Sequence, residues 1–163
     1  MAAMTTPLKS RRERGSVVLE MAAALPLLLL MVAGIIDIGF LFWEKQVLTN
    51  ASREGARAGS RATISGKPEQ ATVTAVRNIV QTYIDNYDLR DASGARINLV
   101  IGTNFFYTYD GSTPRNLLVE LRNIPVKMMM LPNIGRMFSG TYTEVINLNA
   151  KTTMTAEWTT PPT

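Results

Sequence analysis

Hydrophobic positions follow three rhythms along this chain. The first is continuous. From Met21 to Ile36 no charged or strongly polar side chain interrupts the run, and after Asp37 it resumes from Ile38 to Trp43. About 20 helical residues cross a bilayer core of about 30 Å, so Met21 to Trp43 suffices with some tilt. The second rhythm is helical. Val47, Ala51, Gly55, Ala58 and Ala62 recur at spacings of three and four, a small-residue face that continues the same helix beyond the membrane. This face reads as a packing surface for a following sheet. After a break in "SGKPE", with Pro68 suited to a helix start, Val73, Val76, Val80, Tyr83 and Tyr87 mark a second helix, widened by Ile79 and Ile84. The turn-like "DLRDASGAR" ends it.

The third rhythm is alternation. "INLVIG", "FFYTYDG", "NLLVELRNIPV" and "TEVINLNAKTTMTAEW" read as strands, and Val145, Asn147 and Asn149 alternate with Ile146, Leu148 and Ala150 as in a half-buried strand. Between the last two, "KMMMLPNIGRMF" is apolar and interrupted by proline, and reads as an edge loop packed on the domain in preference to an exposed sticky patch. The predicted class is α+β: a long N-terminal transmembrane helix running into a small domain with a second helix and an antiparallel sheet of about four strands. The divisions are a basic leader at 1–15, the transmembrane helix at 16–43, its extension at 44–62, the domain at 63–158 and a frayed tail at 159–163.

Charge adds the orientation. Of the net +4, half resides in the first twenty residues, where Lys9, Arg11, Arg12 and Arg14 outweigh Glu13 and Glu20. Basic residues immediately before a span keep that end in the cytoplasm, so the leader is expected inside a bacterial inner membrane and the domain in the periplasm. Nothing like a concentrated nucleic-acid footprint is left once the leader is explained in this way. The bulky "FLFW" that ends the apolar run does not resemble a small-residue cleavage site.

Composition narrows the chemistry. Cysteine and histidine are absent, which removes disulfides, thiolate metal sites and the commonest general base. No Walker loop, G-x-S-x-G or zinc motif is present. Asp85, Asp88, Asp91 and Asp110 sit among turn-like residues, and the first three lack the glycine and terminal glutamate of a calcium loop at the proper offsets. The chain reads as a non-enzyme with neither metal nor cofactor. A membrane-tethered binding or hydrolytic domain, confined to Ser–Lys or carboxylate-only chemistry, is the alternative of another class.

Several residues of the span call for more than an anchor. Gly15 precedes Ser16, and Glu20 stands where the apolar run begins. A glycine leaves backbone unobstructed, and a carboxylate at the edge of hydrocarbon is costly without a partner. Pro26 removes a helical hydrogen bond, tolerated in membranes either as a simple kink or as a bend needed for packing in a fibre. Asp37 lies about 24 Å along the helix from Met21, near the outer interface. It either snorkels to the headgroups or meets a partner helix. Gly34 and Gly39 flank it and permit close approach. Arg53, Arg57 and Arg61 form a like-charged row at i, i+4 spacing, which suggests an acidic partner either outside the chain or within the domain.

The placement "RRERG|SVVLE" resembles the class III-type signal of type IV pilins, which a prepilin peptidase cuts after the glycine. The longer stretch from Gly15 through Leu25–Pro26, the "GIIDIG" of Gly34 to Gly39 and "QVLTNASREGARAG" of Gln46 to Gly59 resembles the TadE-like (TadE/TadG) family of the Flp/Tad pilus and secretion system. That resemblance implies a minor pilin or pseudopilin cut between Gly15 and Ser16, with Glu20 setting axial register against the freed amine of a neighbour. The implied partners are the prepilin peptidase, the major Flp-type pilin and other minor pilins, the inner-membrane assembly platform and the bilayer. An unprocessed single-pass assembly factor of the same machine is the nearest alternative. The helix-plus-sheet outline is similar to that of pilins.

Overall fold

The computed structural model describes residues 11–61, 69–109, 115–138 and 144–157. A single helix, α1 (Arg11–Arg61), runs unbroken through Pro26. Its first part exposes large apolar side chains on all sides, Leu27 and Leu28 among them. Such a surface calls for an apolar surround, and α1 is long and apolar enough to cross a membrane.

Burial begins in earnest at Val47 and Leu48, where α2 (Glu69–Asn86) and a three-stranded antiparallel sheet close over α1. The sheet has the order β1 (Phe105–Tyr109), β2 (Asn116–Lys127), β3 (Val145–Thr155). The face of α1 that enters this core comprises Leu48, Ala51, Ser52, Gly55, Ala56, Gly59 and Ser60, with Ala58 only half-buried. It therefore lies slightly around the helix from the expected stripe, and Ala62 lies outside the described residues. The small residues are required by close approach. A Cβ on Gly55 would stand 2.4 Å from Val80 Cγ2 of α2, and one on Gly59 would stand 2.6 Å from Leu117 Cδ2 of β2. The stripe thus receives both α2 and the sheet.

On α2, Val73, Val76, Val80 and Ile84 are buried, Tyr83 is half-buried, and Ile79 and Tyr87 are exposed. The expected helix start at Pro68, the carboxylate Asp110 and the tail at 159–163 lie outside the described residues. In β2, Leu117, Val119 and Leu121 face inward, and so do Ile124 and Val126. An odd step separates the two sets. A bulge between Leu121 and Ile124 absorbs one extra residue, with Asn123 at φ 52° and its N–H donating to Asn149 Oδ1 at 2.7 Å. Without it the end of the strand would turn its apolar residues to solvent.

Two expectations need correction. "INLVIG" is extended and buries Ile97 and Leu99, yet it forms no fourth strand. Three of its backbone groups are met by α2 side chains instead: Gln81 receives the Leu99 N–H and donates to the Ile97 carbonyl, and Arg77 Nε donates to the Leu99 carbonyl. The second correction concerns "KMMMLPNIGRMF". It contains a helix, α3 (Leu131–Phe138), rather than an edge loop. Pro132 sits in its first turn, where a missing N–H costs nothing.

Candidate functional site: the outer end of the span

β2 runs antiparallel to α1, back toward the apolar segment. Its beginning lies near Ser60, since Ala156 bonds Arg115 and Glu157 bonds Ser60 through the backbone. Its end delivers Lys127 to Leu131 beside residues 34–37 of α1. There Asp37 is 1% exposed and accepts from three consecutive backbone N–H groups. Met129 N reaches Oδ1 at 3.0 Å. Met130 N bridges both oxygens at 3.0 and 3.1 Å, and Leu131 N reaches Oδ2 at 2.6 Å.

These donors are the ones a helix start leaves without internal partners. A carboxylate there also faces the positive end of the α3 dipole. Asp37 is thus a capping side chain supplied from 92 to 94 residues away in sequence. It does not snorkel; its partner is a helix of its own chain. Gly34 lies alongside, with Leu131 Cδ2 3.9 Å from the position its Cβ would take. Ala33 is buried on the same face. Gly39, in contrast, is exposed, with nothing within 4 Å of an added Cβ. Ile35, Ile36, Phe40 and Trp43 form a shallow apolar recess with it.

Polar and aromatic residues ring this level. Trp43 meets Tyr87 edge-on at 6.4 Å between ring centroids, and Tyr87 continues to Tyr83 at 5.3 Å. Glu144 pairs with both Lys127, at 3.4 Å, and Arg136 of α3. Glu44 lines a cleft with Trp43, Lys127 and the 88–94 turn, and burial raises its carboxyl to about 7. Asp88 in that turn is held below the usual carboxylate range by Arg90, assisted by Arg96. Asp91 is lowered by Ser93, whose hydroxyl and N–H both donate to it. Asp85 accepts from Gln81. These three aspartates are therefore committed to separate local structures.

The inner end of α1 presents a different picture. Gly15, Ser16 and Glu20 are exposed, Gly15 has open space around it, and Glu20 has no partner among the described residues. Arg11, Arg12 and Arg14 belong to the helix, while Lys9 lies outside the described residues. Pro26 is half-buried. Of the arginine row, Arg57 pairs with Glu54 at 3.8 Å and Arg61 with Glu157 at 3.7 Å, while Arg53 approaches Asn50 at 3.5 Å. All three are exposed, so these contacts contribute little stability.

The α3 helix and its tie to Asp37 were missed by sequence reasoning. The available signal was Pro132 one residue inside an apolar stretch whose polar members, Asn133 and Arg136, share a helix face. Comparison with known proteins identifies the segment that carries this geometry. Residues 15–57 match the family TadE, described as TadE-like protein. The match starts at Gly15 and includes Glu20, Pro26, Gly34, Asp37, Gly39, Arg53 and Arg57. No curated protein and no solved structure matches the chain significantly.

Proposed function

We propose that this chain is a minor pilin or pseudopilin of a Flp/Tad-type pilus, cut after Gly15 by a prepilin peptidase and taking part in pilus assembly. The observation that carries this reading is the TadE-like match, which begins at the glycine and runs through the whole apolar segment. It supports a Tad-related membrane role for the chain. Gly15 lies within α1 but is exposed, with nothing packed on its Cα side, so once the first turns of the helix open the bond after it is accessible to a peptidase.

Glu20 supports the finer role. It is a carboxylate at the start of the apolar run without a partner among the described residues, and such a group gains from the α-amino group that cleavage would free on Ser16 of a neighbour. The mechanism is then one of assembly. The bare apolar surface of α1, held in lipid before assembly, is exchanged for the helices of other subunits, with the Glu20–amine pair selecting the axial register. The domain remains outside the membrane, with the N-terminus in the cytoplasm until cleavage.

The experiment is co-expression with a cognate prepilin peptidase, followed by intact-mass measurement of the membrane-bound chain. Loss of Met1 to Gly15 is expected in the wild type and no loss in Gly15→Val. Glu20→Ala should insert and be cut, yet fail to assemble. Full-length wild-type chain beside an active peptidase would instead favour an unprocessed assembly factor. That second reading draws on the tie between α3 and Asp37, which suits a permanent membrane resident equally well.

A further inference from the structure

Once α1 is taken to span the membrane, α3 acquires a depth. Asp37 precedes Trp43 by six residues, about 9 Å along the helix axis. Tryptophan and tyrosine favour the headgroup level, and Trp43 and Tyr87 meet there. The start of α3, fixed to Asp37, therefore lies several ångströms below that level, on the hydrocarbon side. Helices that lie in the plane of a membrane surface are seated about 5–10 Å into the headgroup–acyl boundary.

We infer that the Met129–Met130 turn at the start of α3 is a membrane-seated element, placed in the outer-leaflet lipid beside the span and held at that depth by Asp37. The partner is the lipid surface itself. Three observations select it. Met129 and Met130 are 60% and 42% exposed at the level of Asp37, and neither covers the core of the domain. Met129 lines one cleft with Phe40 and Trp43 of α1, both large and exposed, so lipid that contacts these side chains reaches Met129. Finally, Lys127 and Arg136 both pair with Glu144, a cluster of net positive charge suited to anionic headgroups.

The Asp37 contacts make this depth tolerable. A helix start in lipid would leave its amide groups unsatisfied at several kcal/mol each, and a lone carboxylate at that depth is equally unfavourable. Each removes the other's deficit. The domain consequently has a second anchoring point, and rotation of the sheet about α1 is restricted with respect to the bilayer plane.

The inference rests on the spanning role of α1, and the test separates the two. The chain contains no cysteine, so single variants Leu28→Cys, Met129→Cys, Met130→Cys and Thr108→Cys each carry one spin label. Full-length protein is reconstituted into vesicles of phosphatidylethanolamine and phosphatidylglycerol, and label accessibility to oxygen and to a water-soluble nickel complex is measured. Leu28 should read deep lipid and Thr108, on the exposed sheet face, should read water. Met129 and Met130 should show oxygen-to-nickel ratios several-fold above Thr108, at a shallower depth than Leu28. Water-like values at both methionine positions with Leu28 in lipid would overturn the inference and leave the span intact. Water-like values at Leu28 would overturn the span reading itself. Labels at Met129 and Met130 shielded from both reagents, and released by dilution in lipid, would show a second copy covering the surface and also overturn it.

Discussion

Asp37→Ala removes the side chain that, among the described residues, hydrogen-bonds the domain to the apolar part of α1. Its buried carboxylate serves three backbone donors. Losing a helix cap costs about 0.5–2 kcal/mol, and leaving buried donors unsatisfied costs about 1–3 kcal/mol each. These overlap, because the freed segment relaxes toward solvent or headgroups, so the net expectation is about 3 kcal/mol. The loss should be local. The core is built from Leu48, Val80, Leu121 and their neighbours, none of which contacts Asp37 through a hydrogen bond. Hydrogen exchange in detergent or nanodiscs reads the effect directly, because the Met129, Met130 and Leu131 amides are themselves the donors. About 3 kcal/mol corresponds to roughly a hundredfold faster exchange at these amides, with the 117–121 amides of β2 unchanged. Asp37→Asn retains one acceptor oxygen and should fall between the two. Unaltered exchange at residues 129–131 in Asp37→Ala would refute the capping role. Equal acceleration throughout β2 would refute its locality.

Other consequences follow from the same geometry. Gly55→Ala places a Cβ 2.4 Å from Val80 Cγ2, so α1 and α2 must separate; a loss of about 1–3 kcal/mol is expected, read as a lower midpoint in thermal unfolding by circular dichroism. Glu44 has a carboxyl raised to about 7 by burial, from 4.5, so the unfolded chain ionises first as pH rises and the folded state loses stability between those values. Glu44→Gln should therefore melt higher than wild type at pH 8, and the difference should vanish near pH 4. Gln81→Leu removes both bonds that stand in for a strand partner at Ile97 and Leu99. At about 1 kcal/mol each, it should accelerate proteolysis at Arg96 while sparing the sheet.

Much of this architecture could be read from periodicity because it is local. Continuous hydrophobicity identifies the span, and the alternation across Val145 to Ala150 gives the faces of β3, where 145, 147 and 149 are exposed and Ala150 is buried. The features that were misread depend on partners distant in sequence. Ile97 and Leu99 alternate with polar neighbours as in any strand, but a strand also requires a ladder of backbone partners, and here α2 side chains occupy those positions. Period alone does not distinguish the two. Likewise, small residues at helical spacing locate a close approach only to within a turn, which is why Gly59 and Ser60 replace Ala58 in the core.

Asp37 shows the limit most clearly, and also its remedy. A carboxylate among apolar residues announces that it has a partner, since isolation in hydrocarbon is too costly. Sequence directed attention to the headgroups and to other helices because both lie near residue 37 in space by construction. The actual partner arrives at the end of β2, and its own signature was an apolar segment with a proline where a helix start allows one. One deficit was visible, an acid without a base; the other, a helix start without a cap, was hidden because α3 was read as a loop. Matching them requires only that β2 be long enough to return. Its backbone lies beside α1 from Ser60 downward, and the chain continues through Met128 to Leu131 before turning. A strand rises about 3.3 Å per residue against 1.5 Å for a helix. The roughly fifteen residues from Arg115 to Met129 therefore cover more than the 23-residue descent along α1 from Ser60 to Asp37, and the slack is taken up by twist and the Asn123 bulge. An unpaired acid in a span is thus best matched first against helix starts that a following sheet can carry back to the membrane.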